Sequence, residues 1–259
     1  MALRTDGALL TVTDLALYFG GLKAVDGVSF SVRHGEIFAI IGPNGAGKTT
    51  IFNMVSRIYP PTKGTIDLEG EELTGLPSHS LSSLGVARTF QNIELFAGAT
   101  VLSNILLGCQ VHRRTGLIAE LLFTPRVFRQ EIAFRDRVEE IIAFLDLGAY
   151  RDVEVASLPY GIRKTVELAR ALAIGPKLLL LDEPSSGLNA EETHHVSELI
   201  LGIRQRFGTA IVMVEHDMNL VNNISDRVLA LVAGRVLAEG TPEEIRKNAA
   251  VKSAYLGDS

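Results

Sequence analysis

The sequence predicts an α/β fold with a largely parallel central sheet. Two observations carry that prediction. Short apolar runs without alternation, EIFAIIG (36–42), KLLLLDEP (177–184) and AIVMVEH (210–216), read as strands buried on both faces. The residues between them carry a period near 3.6, the mark of helix. Strands separated by helices wind into a mostly parallel sheet. Composition agrees. A chain of 259 residues, 47% apolar and 21% charged, suits one or two globular domains and excludes a disordered or collagen-like chain.

The elements follow in order. VSFSV (28–32) alternates as a half-buried strand does, and His34-Gly35 turns the chain into EIFAIIG. Glycines follow, then a helical stretch from Lys48 towards Arg57, broken by Pro60-Pro61 and Lys63-Gly64. TIDLEG (65–70) is a further strand. From about 100 to 175 helical patterns dominate (VLSNILLG, GLIAELLF, RVEEIIAFLDLG, KTVELARALA), with breaks at Pro125 and Gly148. This block reads as a helical insertion between two halves of one sheet. RVLALVAGRVLAEG reads as a hairpin turning at Ala233-Gly234, and a charged tail, 241–259, closes the chain.

Charge and cysteine content narrow the function classes. Lys plus Arg number 25 and Asp plus Glu 30, a net charge of −5 that offers no field to a phosphate backbone, so no nucleic acid is expected as partner. The single cysteine, Cys109, cannot form an internal disulfide and suits a reducing cytoplasm. No signal peptide is read, and no apolar run is long enough to span a bilayer. A mean hydropathy of +0.24 is high for an acidic chain. It calls either for thick buried strands or for a docking surface. Residues 112–137 carry six arginines against three acids around an apolar LIAELLF, which reads as a surface facing a membrane protein or anionic headgroups, or as a solvated helix pair.

Two motifs carry chemistry. Residues 42–50, GPNGAGKTT, fit G-x-x-x-x-G-K-[ST] between a buried strand and a helix. Gly45 and Gly47 let the backbone of the loop Gly42, Pro43, Asn44, Gly45, Ala46 and Gly47 curl so that successive N–H groups face inward on an anion, and the helix N-terminus adds positive potential. Lys48 places a point charge on the β- and γ-phosphates, the Thr49 hydroxyl ligates Mg²⁺, and Thr50 is counted with the nucleotide-binding residues. The second motif is the acidic end of a buried strand, LLLLDEP. Asp182 would hold Mg²⁺ through water and Glu183 would polarise an attacking water as general base.

Further motifs stand in a fixed order: Gln91 in RTFQN, LPYGI at 158–162, SSGLN at 185–189 and His216 in VEHDM. Together with the two above, they make the chain resemble the nucleotide-binding subunit of an ABC transporter over nearly all its length. The resemblance implies a P-loop NTPase cassette with an antiparallel β lobe and an inserted helical subdomain. It would be a single nucleotide-binding domain, with 1–90 and 176–259 forming the catalytic lobe and 91–175 the helical subdomain. It implies ATP and Mg²⁺ as ligands. Gln91 would contact the metal or the lytic water, and His216 would hydrogen-bond the γ-phosphate and orient Glu183. An aromatic ahead of the phosphate loop would stack on adenine: Phe19 first, Tyr18 next.

In this family a signature loop, here Leu158, Pro159, Tyr160 and Gly161, contacts ATP held by the opposite subunit, and Asn189 ends the loop that follows the acidic strand. The signature departs from the common LSGGQ: Pro159, Tyr160 and Ile162 replace serine, glycine and glutamine. Proline has neither hydroxyl nor N–H. The Gly161 N–H and the helix end would have to replace that contact, with Arg163-Lys164 supplying charge. The wording is closest to the importers of branched-chain amino acids, through YFGGLKAVDGVSF, GVARTFQNIELF, SSGLNAEET, EHDMNLV and AYLG. Importers of urea, amides or aromatic acids share this vocabulary. The resemblance implies a second cassette, identical or related, transmembrane permease subunits, an indirect link to a periplasmic or extracellular substrate-binding protein, and a place at the cytoplasmic face of the membrane. Two other readings compete: a nucleotide-gated regulatory protein with little turnover, motivated by the altered signature, and a DNA-repair or ribosome-associated ATPase. The latter lacks a coiled coil, a second cassette and a basic surplus.

Overall fold

The computed structural model describes residues 7–89, 93–113 and 125–256. The chain divides into two compact units, residues 1–91 with 177–259, and residues 92–176.

The first unit contains two sheets. One is antiparallel: β1 (Ala8–Phe19) lies between β2 (Leu22–Arg33) and β4 (Lys63–Leu68), and the short β5 (Glu71–Glu72) pairs with β4. The other has six strands. β3 (Ile37–Ile41), β6 (Val86–Arg88), β7 (Leu178–Asp182), β8 (Ala210–Val214) and β9 (Arg227–Val232) run parallel, and β10 (Arg235–Gly240) pairs antiparallel to β9 at one edge. Their order is β10-β9-β3-β8-β7-β6. Every residue of β3, β7 and β8 is buried, which explains their unbroken apolar runs. Phe30 of β2 stacks on Phe38 of β3 at 5.4 Å, tying the two sheets together.

The parallel register aligns the carboxyl ends of the central strands. Asp182 pairs with Val214, and Ile40 pairs with Val214 from the other side. Ligands of open α/β sheets bind at that edge. Helix α1 (Lys48–Val55) starts there.

The second unit is mostly helical: α2 (Val101–Gly108), α3 (Pro125–Phe144) and α4 (Tyr160–Ala173). Asn104 of α2 is fully buried. Its side chain accepts from the Phe96 N–H and donates to the carbonyls of Phe96, Ala99 and Thr100, so the polar group is satisfied. Cys109, just after α2, is buried. The first unit is completed by α5 (Ala190–Phe207), α6 (Met218–Ile224), α7 (Pro242–Lys247) and α8 (Ala249–Leu256).

Three regions depart from the sequence reading. The first hairpin strand, β1, and the start of β2 were not legible as strands, because repeated register shifts between them break the alternation. β6 has three residues, too few to show a period. The closing tail contains two helices. Thr241 and Glu244 form a capping box with Pro242 at the first turn, a start signal that outweighs the charged composition. Of the arginine-rich segment 112–137, residues 114–124 lie outside the described residues. In α3, Phe128 and Ile132 are exposed and Arg113 pairs with Glu131.

Candidate functional site

The site is built at the carboxyl edge of the parallel sheet. β3 ends at Ile41 and the loop 42–47 leads into α1. Gly45 and Gly47 both take positive φ, 79° and 98°. At Gly47 this is required twice over: a Cβ would lie 2.6 Å from the Ala24 carbonyl oxygen, and the left-handed conformation is unfavourable for any other residue. The loop is clamped from two sides. The Ala46 N–H donates to the Pro43 carbonyl at 3.1 Å, and the Gly234 N–H donates to the Ala46 carbonyl at 3.1 Å. Gly234 sits at the β9–β10 turn with φ 76°, and a Cβ there would approach the Ala24 oxygen to 2.7 Å. The hairpin turn is thus a buttress for the phosphate loop, a role its sequence does not announce.

The loop opens on a cleft of about 570 Å³ lined by Phe19, Leu22, Lys23, Ala24, Asn44, Gly45, Ala46, Gly47, Lys48, Thr49, Thr50, Glu183 and Ala233. Most of the residues read as phosphate-binding are therefore together, and Glu183 shares their cleft. Lys48 is 8% exposed, and its ammonium donates to the carbonyls of Gly42 at 2.6 Å and Pro43 at 3.1 Å. Burial pushes the Lys48 ammonium below its ordinary range, while Glu183 and Asp182 pull it back up. Gly42 and Pro43 act from behind the loop as acceptors rather than as part of the cleft wall.

Phe19 packs edge-on against Tyr59 at 5.7 Å and stays 48% exposed at the cleft. Tyr18, the second aromatic read for adenine stacking, is not in the cleft lining. Its hydroxyl donates to Asp26 at 2.7 Å and Lys23 covers its ring at 5.4 Å. Side chains of successive strand residues point to opposite faces, so only one of the pair can face the cleft. Asp26 also binds Arg235 at 2.7 Å and Lys23 at 3.2 Å. The Tyr18 hydroxyl, Arg235 and Lys23 together hold its carboxyl well below the usual carboxylate range.

The acidic pair splits its environments. The Asp182 carboxylate is buried and accepts from Arg88 at 2.8 Å. Arg88 also donates to Asn53 Oδ1 at 2.8 Å and Ser56 Oγ at 2.6 Å, so it links the acid to α1. Glu183 is half-buried with φ 50°, a left-handed backbone rare for a non-glycine residue. Its N–H donates to the Val214 carbonyl at 3.0 Å. The turn this produces aims the side chain at the loop instead of continuing the strand. His216 follows β8 with a side chain 61% exposed. Gln91 lies outside the described residues. The Thr49 hydroxyl and the Glu183 carboxylate line the cleft with Lys48, whereas Asp182 is absent from the lining and its carboxylate is held by Arg88; hydroxyl and carboxylate oxygens are the hard donors that Mg²⁺ takes.

Asn189 is engaged locally: its side chain accepts from the Glu192 N–H at 3.0 Å, a capping box for α5. In the second unit Pro159 is the N-cap of α4 without a side-chain cap bond, and the first intrahelical bond runs from the Arg163 N–H to the Pro159 carbonyl. The amides of Tyr160, Gly161 and Ile162 precede it and stand at the helix start. Leu158 is buried, and Arg163 and Lys164 lie over the Tyr160 ring at 5.8 and 5.5 Å. Sequence reasoning missed Arg88, Asp26, Leu22, Lys23, Ala24, Ala233 and the buried Glu215. Arg88 and Glu215 stand inside the quoted stretches RTFQN and VEHDM, and Leu22, Lys23, Ala24 and Asp26 inside YFGGLKAVDGVSF, but those stretches were read for Gln91, His216 and the family likeness and gave these residues no role.

Comparison with known proteins points one way. The family model described as ABC transporter matches residues 25–186, and that described as branched-chain amino acid ATP-binding cassette transporter matches residues 235–259. The chain is 44% identical over 251 residues to the high-affinity branched-chain amino acid transport ATP-binding protein LivG of Salmonella typhimurium, covering 97% of this chain and 98% of the relative. It is 41% identical, with the same coverage, to the corresponding protein BraF of Pseudomonas aeruginosa. Among solved structures, the ADP conformation of MJ1267, an ATP-binding cassette of an ABC transporter, superimposes with TM-score 0.83 at 28% identity over 96% of this chain and 99% of that one.

Proposed function

Because the chain belongs to the ABC transporter family, we propose that it is the ATP-binding and ATP-hydrolysing subunit of a membrane transporter that imports branched-chain amino acids. The observation that carries the reading is one cleft whose lining holds the glycine loop, Lys48, Thr49 and Glu183 together. The substrate class rests on the relatives' names.

Catalysis of this kind is largely positioning and electrostatics. The loop amides and the N-terminus of α1 bind the phosphates. Lys48, swinging from the Gly42 and Pro43 carbonyls, neutralises their charge. Thr49, Asp182 and Gln91 would hold Mg²⁺, which supplies further positive charge to the phosphates. Glu183 accepts a proton from water, and His216 orients that water. Phe19 stacks on the base. We read residues 1–90 with 176–259 as the catalytic lobe and 91–175 as the lobe presenting Leu158, Pro159, Tyr160 and Gly161, with Asn189 nearby in the dimer, to the nucleotide of a second cassette. Pro159 lacks an N–H, so the Tyr160 and Gly161 amides take that part.

Among the described residues no helix is long and apolar enough to cross a membrane. Transmembrane permease subunits would therefore hold this chain at the cytoplasmic face, and the exposed Phe128 and Ile132 fit a docking role. The test is steady-state ATPase activity of the purified chain. Glu183→Gln is expected to lower kcat by on the order of 10²-fold or more, with ATP binding retained. Unchanged turnover refutes the role of Glu183. Recovery of the tagged chain from its host with ribosomes or DNA in place of permeases overturns the transporter reading.

A further inference from the structure

Glu215 stands between the end of β8 and His216, and it is completely buried. A buried carboxylate is costly unless its oxygens are matched by donors. Three backbone amides converge on this one. Oε1 accepts from the Ser185 N–H at 2.8 Å; Oε2 accepts from the His216 N–H at 2.9 Å and the Asp217 N–H at 3.2 Å. The two oxygens serve two different segments. Ser185 lies two residues beyond Glu183, at the start of the loop that ends in Asn189. His216 and Asp217 form the turn after β8, and Asp217 caps α6 by accepting from the Asn219 N–H at 2.8 Å.

Glu183 holds a left-handed φ of 50°, a strained conformation that persists only where its surroundings impose it. Three bonds do so here: Glu183 N–H to Val214 O at 3.0 Å, Ser186 N–H to Glu183 O at 3.1 Å, and Ser185 N–H to Glu215. The third is the one that leads to the His216 turn. Only a carboxylate can make it and serve the turn as well. A glutamine of the same shape has an oxygen on one side and an NH₂ on the other, and the NH₂ would face an N–H donor.

We propose that Glu215 is a positioning residue that locks the Glu183–Ser185 turn to the His216 turn, so that the two groups acting on water are held as one body. The proposal deepens the ATPase reading above and rests on it for its kinetic consequence, though not for the lock itself.

Amide hydrogen exchange and steady-state ATPase activity of the full chain test it. In the unmodified chain without nucleotide, the amides of Ser185, His216 and Asp217 are expected to exchange through one common opening. In Glu215→Gln at least one of the two segments exchanges on the order of 10- to 100-fold faster, the loss expected for a bond to a charged acceptor. kcat falls roughly tenfold or more, while KM for ATP stays within about threefold. In a His216→Ala background the same substitution adds less than about a twofold loss, because the residues act as a unit. Independent opening of Ser185 and His216 in the unmodified chain overturns the lock, as does unchanged exchange in Glu215→Gln or fully additive kinetic losses. If Glu215→Gln does not fold, the exchange pattern of the unmodified chain still decides. If His216→Ala alone leaves kcat untouched, the role given to His216 fails, and the exchange result judges the lock separately.

Discussion

Replacing Arg88 by methionine removes the cation from a pair that is almost wholly shielded from water: the side chains of Arg88 and Asp182 are 8% and 3% exposed and meet at 2.8 Å. The methionine fills much of the same volume, so cavity formation is a minor cost. What remains is a buried Asp182 carboxylate without its counter-ion, together with Asn53 and Ser56, which lose their bonds to the guanidinium. Removing one partner of a buried ion pair costs about 3–5 kcal/mol. At about 2–4 °C per kcal/mol for a chain of this size, the melting temperature falls by roughly 6–20 °C. Calorimetry in the presence of a chelator, without nucleotide, measures this. The pairing argument adds a sharper demand. In an Asp182→Asn background, where no charge is stranded, Arg88→Met must cost much less, giving a coupling of about 2 kcal/mol or more in the double-mutant cycle. A drop below about 2 °C, or an equal drop in both backgrounds, refutes the idea that Arg88 acts by neutralising Asp182.

Three further outcomes follow from the cleft and its flank. Phe19→Ala removes a base-stacking face worth about 1–3 kcal/mol, so the affinity for a fluorescent ATP analogue falls by roughly 5- to 100-fold, whereas Tyr18→Phe leaves it within about twofold. Gly47→Ala forces a Cβ against the Ala24 oxygen at φ 98°; strain of about 1–3 kcal/mol lowers the melting temperature, and nucleotide binding, measured by titration, is lost. Tyr18→Phe also weakens acid resistance. The carboxyl of Asp26 is held below its unfolded value, first by the Tyr18 hydroxyl, so its stabilising contribution is full above that unfolded value, about 3.9, and fades as pH falls through the folded one. Removing the hydroxyl raises the folded value and moves the onset of acid unfolding, followed by circular dichroism between pH 2 and 5, to higher pH; an unchanged onset contradicts the assignment.

The strands that carry the nucleotide site were legible because burial on both faces demands continuous apolar residues, as in EIFAIIG, KLLLLDEP and AIVMVEH. The glycine loop was legible because close backbone approach and left-handed φ tolerate few other residues. The first hairpin was not, since its bulges shift the apolar phase from face to face. Phe19 could be ranked ahead of Tyr18, and the cleft lining holds Phe19 alone of the two, because which of two adjacent strand residues meets the cleft is decided by register.

By itself, then, the sequence determined the fold, the phosphate loop and the acidic strand end, each of which needs particular residues at fixed local spacing. The tertiary structure decided the rest. It brought Gly234 under the phosphate loop, Arg88 onto Asp182 from 94 residues away, and Glu215 between Ser185 and His216. Those contacts join segments far apart in the chain. Their chemistry, a charge matched by donors in a place water does not reach, exists only once the sheet has aligned the ends of its strands.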